Sequence, residues 1–143
     1  MFLGTYEHTL DAKGRLILPA KFREPLEAGA FVTRSLDGGL ALYTADEFEK
    51  VAQEMQETAR QGGAQRNVVR SFAAGAAEAT PDRQGRISIP ANLRTYAGLM
   101  RDIVVTGALT RVEIWDAARW RDIDTEAARA MSTATSGLDG IGI

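Results

Sequence analysis

Two short basic turns are the part of this sequence whose residue types could do chemistry. The segment DAKGRLILPAKFR at 11–23 returns as DRQGRISIPANLR at 82–94, 71 residues further along the chain. In each copy an arginine directly follows the glycine, at Arg15 and Arg86. A guanidinium can donate two hydrogen bonds at once to guanine O6 and N7, or to phosphate oxygens. The repeated turn therefore favours a protein that binds nucleic acid at two related places.

The same arginines have an alternative use inside the turn itself. Asp11 and Asp82 open the two copies, and we expect each carboxylate to accept hydrogen bonds from backbone N–H groups two residues on, which would brace the loop. Gly14 and Gly85 are expected to supply the positive φ of a tight turn. Each arginine could pair with its aspartate and only stiffen the turn. A repeated ion pair and a repeated DNA contact look alike in sequence, so both remain open.

Other basic residues of the repeats are further candidates for DNA contacts. Lys13 is typical of a phosphate contact, but the second copy has Gln84 at that position and carries Arg83 instead. Three more cations fall on the helix predicted after each proline, where solvated charge or internal pairing is the alternative interpretation. The candidate DNA-binding residues are Lys13, Gly14, Arg15, Lys21, Arg23, Arg83, Gly85, Arg86 and Arg94.

The distribution of charge supports this interpretation better than the total does. The formal net charge is −2, yet segment 11–23 carries +3 and segment 82–94 carries +2, which leaves −7 on the rest of the chain. If both segments lie on one face, a positive face on an acidic body would steer a polyanion to one orientation. Ordinary solvated turns would give the same local charges.

Composition argues against several other classes of protein. The 143 residues include no cysteine and one histidine, His8, which excludes a disulfide scaffold, a Cys/His zinc site and a cysteine nucleophile. We find no P-loop, dinucleotide or metal motif, and clustered Asp and Arg without a cleft signature do not make an enzyme. We therefore expect no enzyme activity, cofactor, metal or small-molecule substrate. No signal peptide or apolar run of roughly 20 residues is present, so we expect a cytoplasmic protein with no membrane partner.

The elements that must position the turns are repeated as well. A strand over 2–10 precedes the first turn, and the alternation after it places Leu16 and Leu18 on the core side with Arg15 and Ile17 opposite. A short helix then opens at each proline, Pro19 or Pro90. We expect Pro25 to close the first of these helices and Gly98 the second.

The correspondence continues beyond the motif, and the later pairs 40–43/112–115 and Phe48/Trp120 have an offset of 72, which indicates one residue inserted in the second half. Short strands are predicted at 30–33 and 103–106 and again at 40–43 and 112–115, each pair followed by a helix. Thr44 and Glu47 predict a capping box for a helix to about Arg60, and Asp116 can cap the equivalent helix. The aromatic residues at periodic positions are predicted to be core or subunit contacts: Phe31, Phe48, Trp115 and Trp120.

Five segments are predicted along the chain. They are a first repeat at 5–47, a helical connector at 48–75, a second repeat at 76–119, a C-terminal helix at 120–131 and a small, Gly-rich flexible tail at 132–143.

The opening FLGTYEHTLDAKGRLILPAKFR and the second motif DRQGRISIPANLR closely resemble the MraZ family, bacterial transcriptional regulators built from two SpoVT-AbrB type repeats. The resemblance spans residues 1 to about 130. It implies a mainly β fold, a swapped-hairpin (double-split) β-barrel formed by the two halves of one chain, with flanking α-helices. It places the DNA-contacting loops on Lys13, Gly14 and Arg15 and on Arg83, Gly85 and Arg86.

The resemblance also implies how such a protein works. It implies a sequence-specific DNA-binding regulator, acting largely as a repressor of its own operon and of the division and cell-wall gene cluster, and associated with the nucleoid. The partners would be short direct repeats in double-stranded promoter DNA and other copies of the same chain, in a ring-shaped homo-oligomer of octamer or similar size. Several copies on successive repeats gain effective concentration without new contacts, so a mildly acidic subunit can bind DNA well.

The runner-up function is an antitoxin-like protein-interaction module that neutralises a partner through its tail. Because the two loops are unequal, we also expect the first loop to tolerate mutation less well than the second.

Overall fold

The computed structural model of the protein describes residues 1–133, 137–138 and 140–142. In chain order the elements are β1 Thr5–Thr9, β2 Arg15–Ile17, α1 Ala20–Leu26, β3 Ala30–Arg34, a 3-10 turn Leu36–Gly38, β4 Leu40–Thr44, α2 Ala45–Ala59, α3 Gly63–Gly75, β5 Ala77–Glu78, β6 Arg86–Ser88, α4 Ala91–Ala97, β7 Asp102–Gly107, β8 Val112–Asp116 and α5 Ala117–Ser132.

The strands form two antiparallel sheets that join the two halves of the chain. The larger sheet has six strands in the order β1-β7-β8-β4-β3-β5, and the smaller pairs β2 with β6. The first strand of each half pairs with the third strand of the other half, since β1 lies against β7 and β5 lies against β3. The strands β4 and β8 also pair across the halves. Neither half therefore completes its sheet alone.

The motif strands supply the centre of the core. The three apolar pairs of the repeat, Leu16/Ile87, Leu18/Ile89 and Phe22/Leu93, are all at most 2% exposed. They pack in one cluster with residues of the large sheet, including Leu42, Val105 and Ile114. The predicted inward side of each motif strand is confirmed, and it roots both turns in one shared core.

Three sequence expectations need correction. Among the described residues, the five helices hold more residues than the eight strands, because α2, α3 and α5 run for 15, 13 and 16 residues, so the fold is mixed α/β and not mainly β. Within the described part of the chain, β1 and β5 are free edges and the pairings do not close into a barrel. Pro25 also lies inside α1, which continues one residue further to Leu26, because the missing proline N–H costs only the hydrogen bond to the Lys21 carbonyl.

Most element ends agree with the sequence signals. Thr44 caps α2 by accepting a hydrogen bond from the Glu47 N–H at 3.2 Å, and Asp116 caps α5 in the same way through Arg119. Gly98 ends α4 in the left-handed conformation, with φ at 62°. The inserted residue falls in a loop, since three residues join α1 to β3 and four join α4 to β7.

The helices that flank the large sheet differ between the halves. The connecting helix α3 packs on α2 and on β3, and Phe48 stacks between Phe31 and Phe72 with ring centroids 4.6 and 6.2 Å away. In the second half, the helix equivalent to α2 is α5. It contacts β7 and β8 and buries none of its residues completely. The predicted tail at 132–143 begins inside α5, at Ser132, and its positions 134–136, 139 and 143 lie outside the described residues.

Candidate nucleic-acid interface

Loop 1, residues 11–15, is held together by one aspartate. Asp11 Oδ1 accepts hydrogen bonds from the backbone N–H groups of Lys13 and Arg15, both at 2.9 Å. Its second oxygen, Oδ2, accepts from Arg15 Nε at 2.9 Å. The Gly14 N–H donates to the Asp11 carbonyl at 3.0 Å. The predicted brace is confirmed, and it fixes the direction in which the arginine leaves the loop.

Loop 2, residues 82–86, repeats this arrangement almost atom for atom. Asp82 Oδ1 accepts from the Gln84 and Arg86 N–H groups at 2.9 and 3.0 Å, and Oδ2 accepts from Arg86 Nε at 2.9 Å. The glycines have φ of 78° at Gly14 and 79° at Gly85. Both positions are in the region where an L side chain is strained, so the predicted requirement for glycine is confirmed.

The surroundings of Asp11 and Asp82 lower the pKa of both carboxyl groups. The backbone N–H of Arg15 is the main cause that lowers the pKa of Asp11, and the Arg15 side chain and the Lys13 N–H act in the same direction against partial desolvation. The Arg86 N–H lowers the pKa of Asp82 in the same way. Each loop thus keeps a carboxylate that can hold its arginine at neutral pH.

The two loops lead into one ribbon, whose outer face is set by the strand register. In the β2–β6 pair, Arg15 lies opposite Ser88 and Ile17 lies opposite Arg86. The inward residues of this ribbon, Leu16 and Ile87, are buried. Side chains alternate between the two faces of a strand, so both arginines stand on the outer face with Ile17 and Ser88. The structure thus places Arg15 and Arg86, the two predicted base contacts, on one surface.

Both interpretations of these arginines are compatible with their geometry. Each uses Nε for its aspartate, and the side chains of Arg15 and Arg86 are still 35% exposed. Within the part of the chain that the structure describes, no hydrogen bond reaches their terminal Nη1 and Nη2 groups. An ion pair through Nε orients a guanidinium and leaves its outer N–H groups for another partner.

The remaining predicted cations fall into two groups. Lys13, Lys21 and Arg83 are exposed, with the first and last on the loops and Lys21 on the first turn of α1. Arg23 and Arg94 are half-buried and lie under the loops. Arg23 Nε donates to the Leu18 carbonyl at 2.9 Å, so this residue has an internal partner.

The outer ribbon face includes residues that sequence reasoning did not select. Ile17 is 49% exposed between the two arginines, and Ser88 occupies the equivalent position in β6. Alternation placed Ile17 beside Arg15, but it gave no sign that β2 pairs with β6. Three-residue strands carry too little pattern to reveal a partner 71 residues away.

His8 is half-buried in β1, as an ordinary packed histidine would be. Burial is the main cause that lowers its pKa, and the nearby charge of Arg23 acts in the same direction. Among the described residues, no cluster of three or more His, Asp or Glu could hold a metal ion. No helix in this part of the chain is long and apolar enough to cross a membrane.

Comparison with known proteins agrees with the doubled architecture. The family model described as "MraZ protein, putative antitoxin-like" matches the chain twice, over residues 1–71 and 72–138. The chain belongs to the MraZ family. Each of the two matches contains one of the loops described above, so the MraZ unit is one repeat and the chain carries two.

Several curated MraZ relatives are similar over nearly the whole chain. The "Transcriptional regulator MraZ" of Kocuria rhizophila is 48% identical over 132 residues, which is 92% of each chain. Proteins of the same name from Mycolicibacterium smegmatis and Thermobifida fusca are 47% identical over 94% and 49% identical over 88% of each chain.

Proposed function

We propose that the protein is a sequence-specific DNA-binding transcriptional regulator that reads duplex DNA with loop 1, loop 2 and the β2–β6 ribbon. The observation that carries this proposal is that Arg15 and Arg86, each held by an aspartate through Nε, share the outer face of one two-stranded ribbon. The relatives named transcriptional regulators support the same function.

The ribbon suits the major groove of B-DNA. That groove is about 12 Å wide and admits a two-stranded β-ribbon, whose strands lie about 4.8 Å apart. Terminal N–H groups of Arg15 and Arg86 would donate to guanine O6 and N7, and exposed Lys13 and Arg83 would contact phosphates on either side. Ile17, 49% exposed, would lie against the methyl group of a thymine.

The inequality of the two halves gives the ribbon a direction. Lys13 and Ile17 in the first half correspond to Gln84 and Ser88 in the second. A symmetric ribbon would favour a palindrome, whereas this ribbon presents different contacts to the two halves of its site. We propose that each subunit binds one unit of a direct repeat in promoter DNA, with loop 1 contributing more than loop 2.

Self-assembly is part of the proposal, because one ribbon contacts few base pairs. Helix α5 borders a groove of about 440 Å³ lined by Trp115, Trp120 and Ile123, and the neighbouring Leu36 is 82% exposed. We propose that this surface contributes to a ring-shaped homo-oligomer of octamer or similar size. Several linked ribbons on successive repeats would raise the affinity without new contacts in any one subunit.

The resemblance supplies the biological setting of the proposal. We propose that the protein acts at the nucleoid in the cytoplasm and represses its own operon and the division and cell-wall gene cluster. We also propose that the interlocked pairing of the two halves is the swapped-hairpin arrangement of this family, supported by the exchanged positions of β1 and β5.

A mobility shift on the DNA upstream of the protein's own gene tests the proposal. Arg15→Ala and Arg86→Ala are each expected to bind at least about tenfold more weakly than the parent at matched salt, with the larger loss for Arg15→Ala. Arg60→Ala is the matched control, since Arg60 is an exposed arginine paired with Glu57 on α2. Parent-like binding by both loop variants would show that the loops do not read DNA.

The second candidate function is the protein-interaction module, which the antitoxin-like description of the family favours. This function predicts a stoichiometric partner that copurifies with the full chain and is lost when 132–143 is removed. A clear promoter shift with no such partner would reject it.

A further inference from the structure

We infer that Arg23 and Arg94 are positioning residues that act crosswise, Arg23 on loop 2 and Arg94 on loop 1, and that neither is a phosphate contact. This inference rests on the proposed function for its effect on DNA, while its structural part stands on the contacts alone. Sequence reasoning had grouped both arginines with the DNA contacts.

Each loop is fastened to the opposite half by a backbone hydrogen bond. The Gly85 carbonyl accepts from the Leu18 N–H, and the Gly14 carbonyl accepts from the Ile89 N–H, both at 2.8 Å. Leu18 and Ile89 are the residues just before Pro19 and Pro90. The helix that follows each proline is therefore fixed relative to the loop of the other half.

The arginine on that helix then covers the glycine of the same loop. Arg23 donates from Nε to the Leu18 carbonyl, so Leu18 is bound on one side by loop 2 and on the other by Arg23. A Cβ placed at Gly85 would overlap Arg23 Nε and lie 2.6 Å from its Cζ. The guanidinium occupies the space that any larger residue in the loop would need.

The second arginine repeats the contact with the glycine but not the hydrogen bond, since within the described residues the Arg94 side chain donates none. A Cβ placed at Gly14 would overlap Arg94 Nη1 and lie 2.6 Å from its Cζ. Glycine is thus needed at both loops for two reasons, its positive φ and the room that it leaves for an arginine. Half-buried under the loops, these guanidiniums pack against the glycines that precede Arg86 and Arg15.

The crossed arrangement has a consequence for how the two loops communicate. A disturbance in α1 should reach loop 2, although α1 follows loop 1 in the chain, and a disturbance in α4 should reach loop 1. A residue that only supported the core would affect both loops equally, and a phosphate contact would affect neither loop in the absence of DNA.

Hydrogen–deuterium exchange of the full-length protein without DNA tests this. Arg23→Ala is expected to speed amide exchange about fivefold in peptides covering 82–88 and to leave those covering 11–17 unchanged, since one hydrogen bond of about 1 kcal/mol is lost. Arg94→Ala should show the reverse pattern. Lys21→Ala, which removes an exposed cation from the same helix as Arg23, is the matched control and should change neither.

Equal changes in both loops, or a change only in the loop of the same half, would overturn the inference. A second readout is the salt dependence of binding to the upstream DNA. Arg23→Ala is expected to weaken binding with the slope of log K against log salt unchanged, whereas a lost phosphate contact would reduce that slope by about 0.9. A reduced slope would also overturn it. Because exchange is measured without DNA, failure of the proposed DNA function would leave the exchange pattern intact and is distinguishable.

Discussion

At the scale of single residues, the two loops depend on three residue types with separate tasks. Asp11 and Asp82 tie the backbone and hold an arginine through Nε. The glycine supplies a left-handed turn and space below it. The arginine is left with its terminal N–H groups facing outward. Each task places a different demand on substitution, so the residues can be tested separately.

Gly14→Ala is expected to lower the free energy of unfolding by about 2 kcal/mol, measured by urea denaturation. A left-handed φ costs a non-glycine residue about 1 kcal/mol or more, and the added methyl group would meet the Ile89 carbonyl oxygen at 3.0 Å and displace the end of Arg94, which adds about 1 kcal/mol of overpacking. Gly98→Ala is the matched control, because Gly98 has φ of 62° with no atom near the added methyl group. Its expected cost is about 1 kcal/mol. Equal losses in the two variants would show that the packing of Arg94 is unimportant.

Acid below about pH 4 should weaken loop 1 and loop 2. The pKa values of Asp11 and Asp82 are lowered in the folded protein from 3.8, mainly by backbone hydrogen bonds. Their contribution to stability is therefore present above pH 3.8 and is lost as the pH falls through the folded pKa. The unfolding free energy of the parent should fall more steeply below pH 4 than that of the double variant Asp11→Asn/Asp82→Asn. Parallel curves would contradict this account of the braces.

At the scale of elements, the β2–β6 ribbon is built from one strand of each half. Neither half contains all the pairing partners of its own strands, because β1, β2 and β5 all pair with strands from the other half. The ribbon therefore exists only when both halves fold together, which places the two loops in a fixed relation.

Fragments 1–75 and 76–143 are accordingly expected to lack a cooperative urea transition when produced alone, and to regain one when mixed. Each strand of the large sheet and of the ribbon has at least one pairing partner in the other half. Far-UV circular dichroism of each fragment and of the mixture measures this. A monomeric fragment that unfolds cooperatively would contradict the interlocked arrangement.

Much at this scale could be predicted from the sequence, for identifiable reasons. The repeat fixed which elements are equivalent, and the caps at Thr44, Gly98 and Asp116 marked helix ends that the structure confirms. Pairing across the halves could not be predicted from the residues, because strands such as β2 and β5 are only three and two residues long. For the same reason, the sequence could not predict that Arg23 lies against loop 2 and Arg94 against loop 1, because both contacts depend on the pairing of β2 with β6.

At the scale of the whole molecule, the acidic total charge and the proposed DNA function are reconciled by position. The +5 carried by the two repeats is gathered around one ribbon, while the rest of the chain carries −7. Such a subunit would bind one short site weakly, and assembly would supply the remaining affinity.

Ile123→Asp is expected to reduce the size of the assembly, measured by light scattering, by placing a charge against the apolar side chains of Trp115 and Trp120 in this mixed polar and apolar groove. Binding to DNA with several direct repeats should fall at least about 100-fold, while binding to a single unit should not change. Asp124→Ala, an exposed neighbour on α5, is the control. An unchanged assembly would exclude this groove from the interface.

The central claim is that Arg15 and Arg86 contact DNA directly, and one titration tests it. The affinity of the double variant Arg15→Ala/Arg86→Ala for the upstream DNA is measured across a salt series, against Arg60→Ala/Arg66→Ala, which removes the same charge from exposed positions just after α2 and on α3. We predict a loss of at least about 100-fold for the loop variant relative to this control, and a smaller difference on unrelated DNA. Equal affinities of the two double variants for the upstream DNA at every salt concentration would contradict the claim.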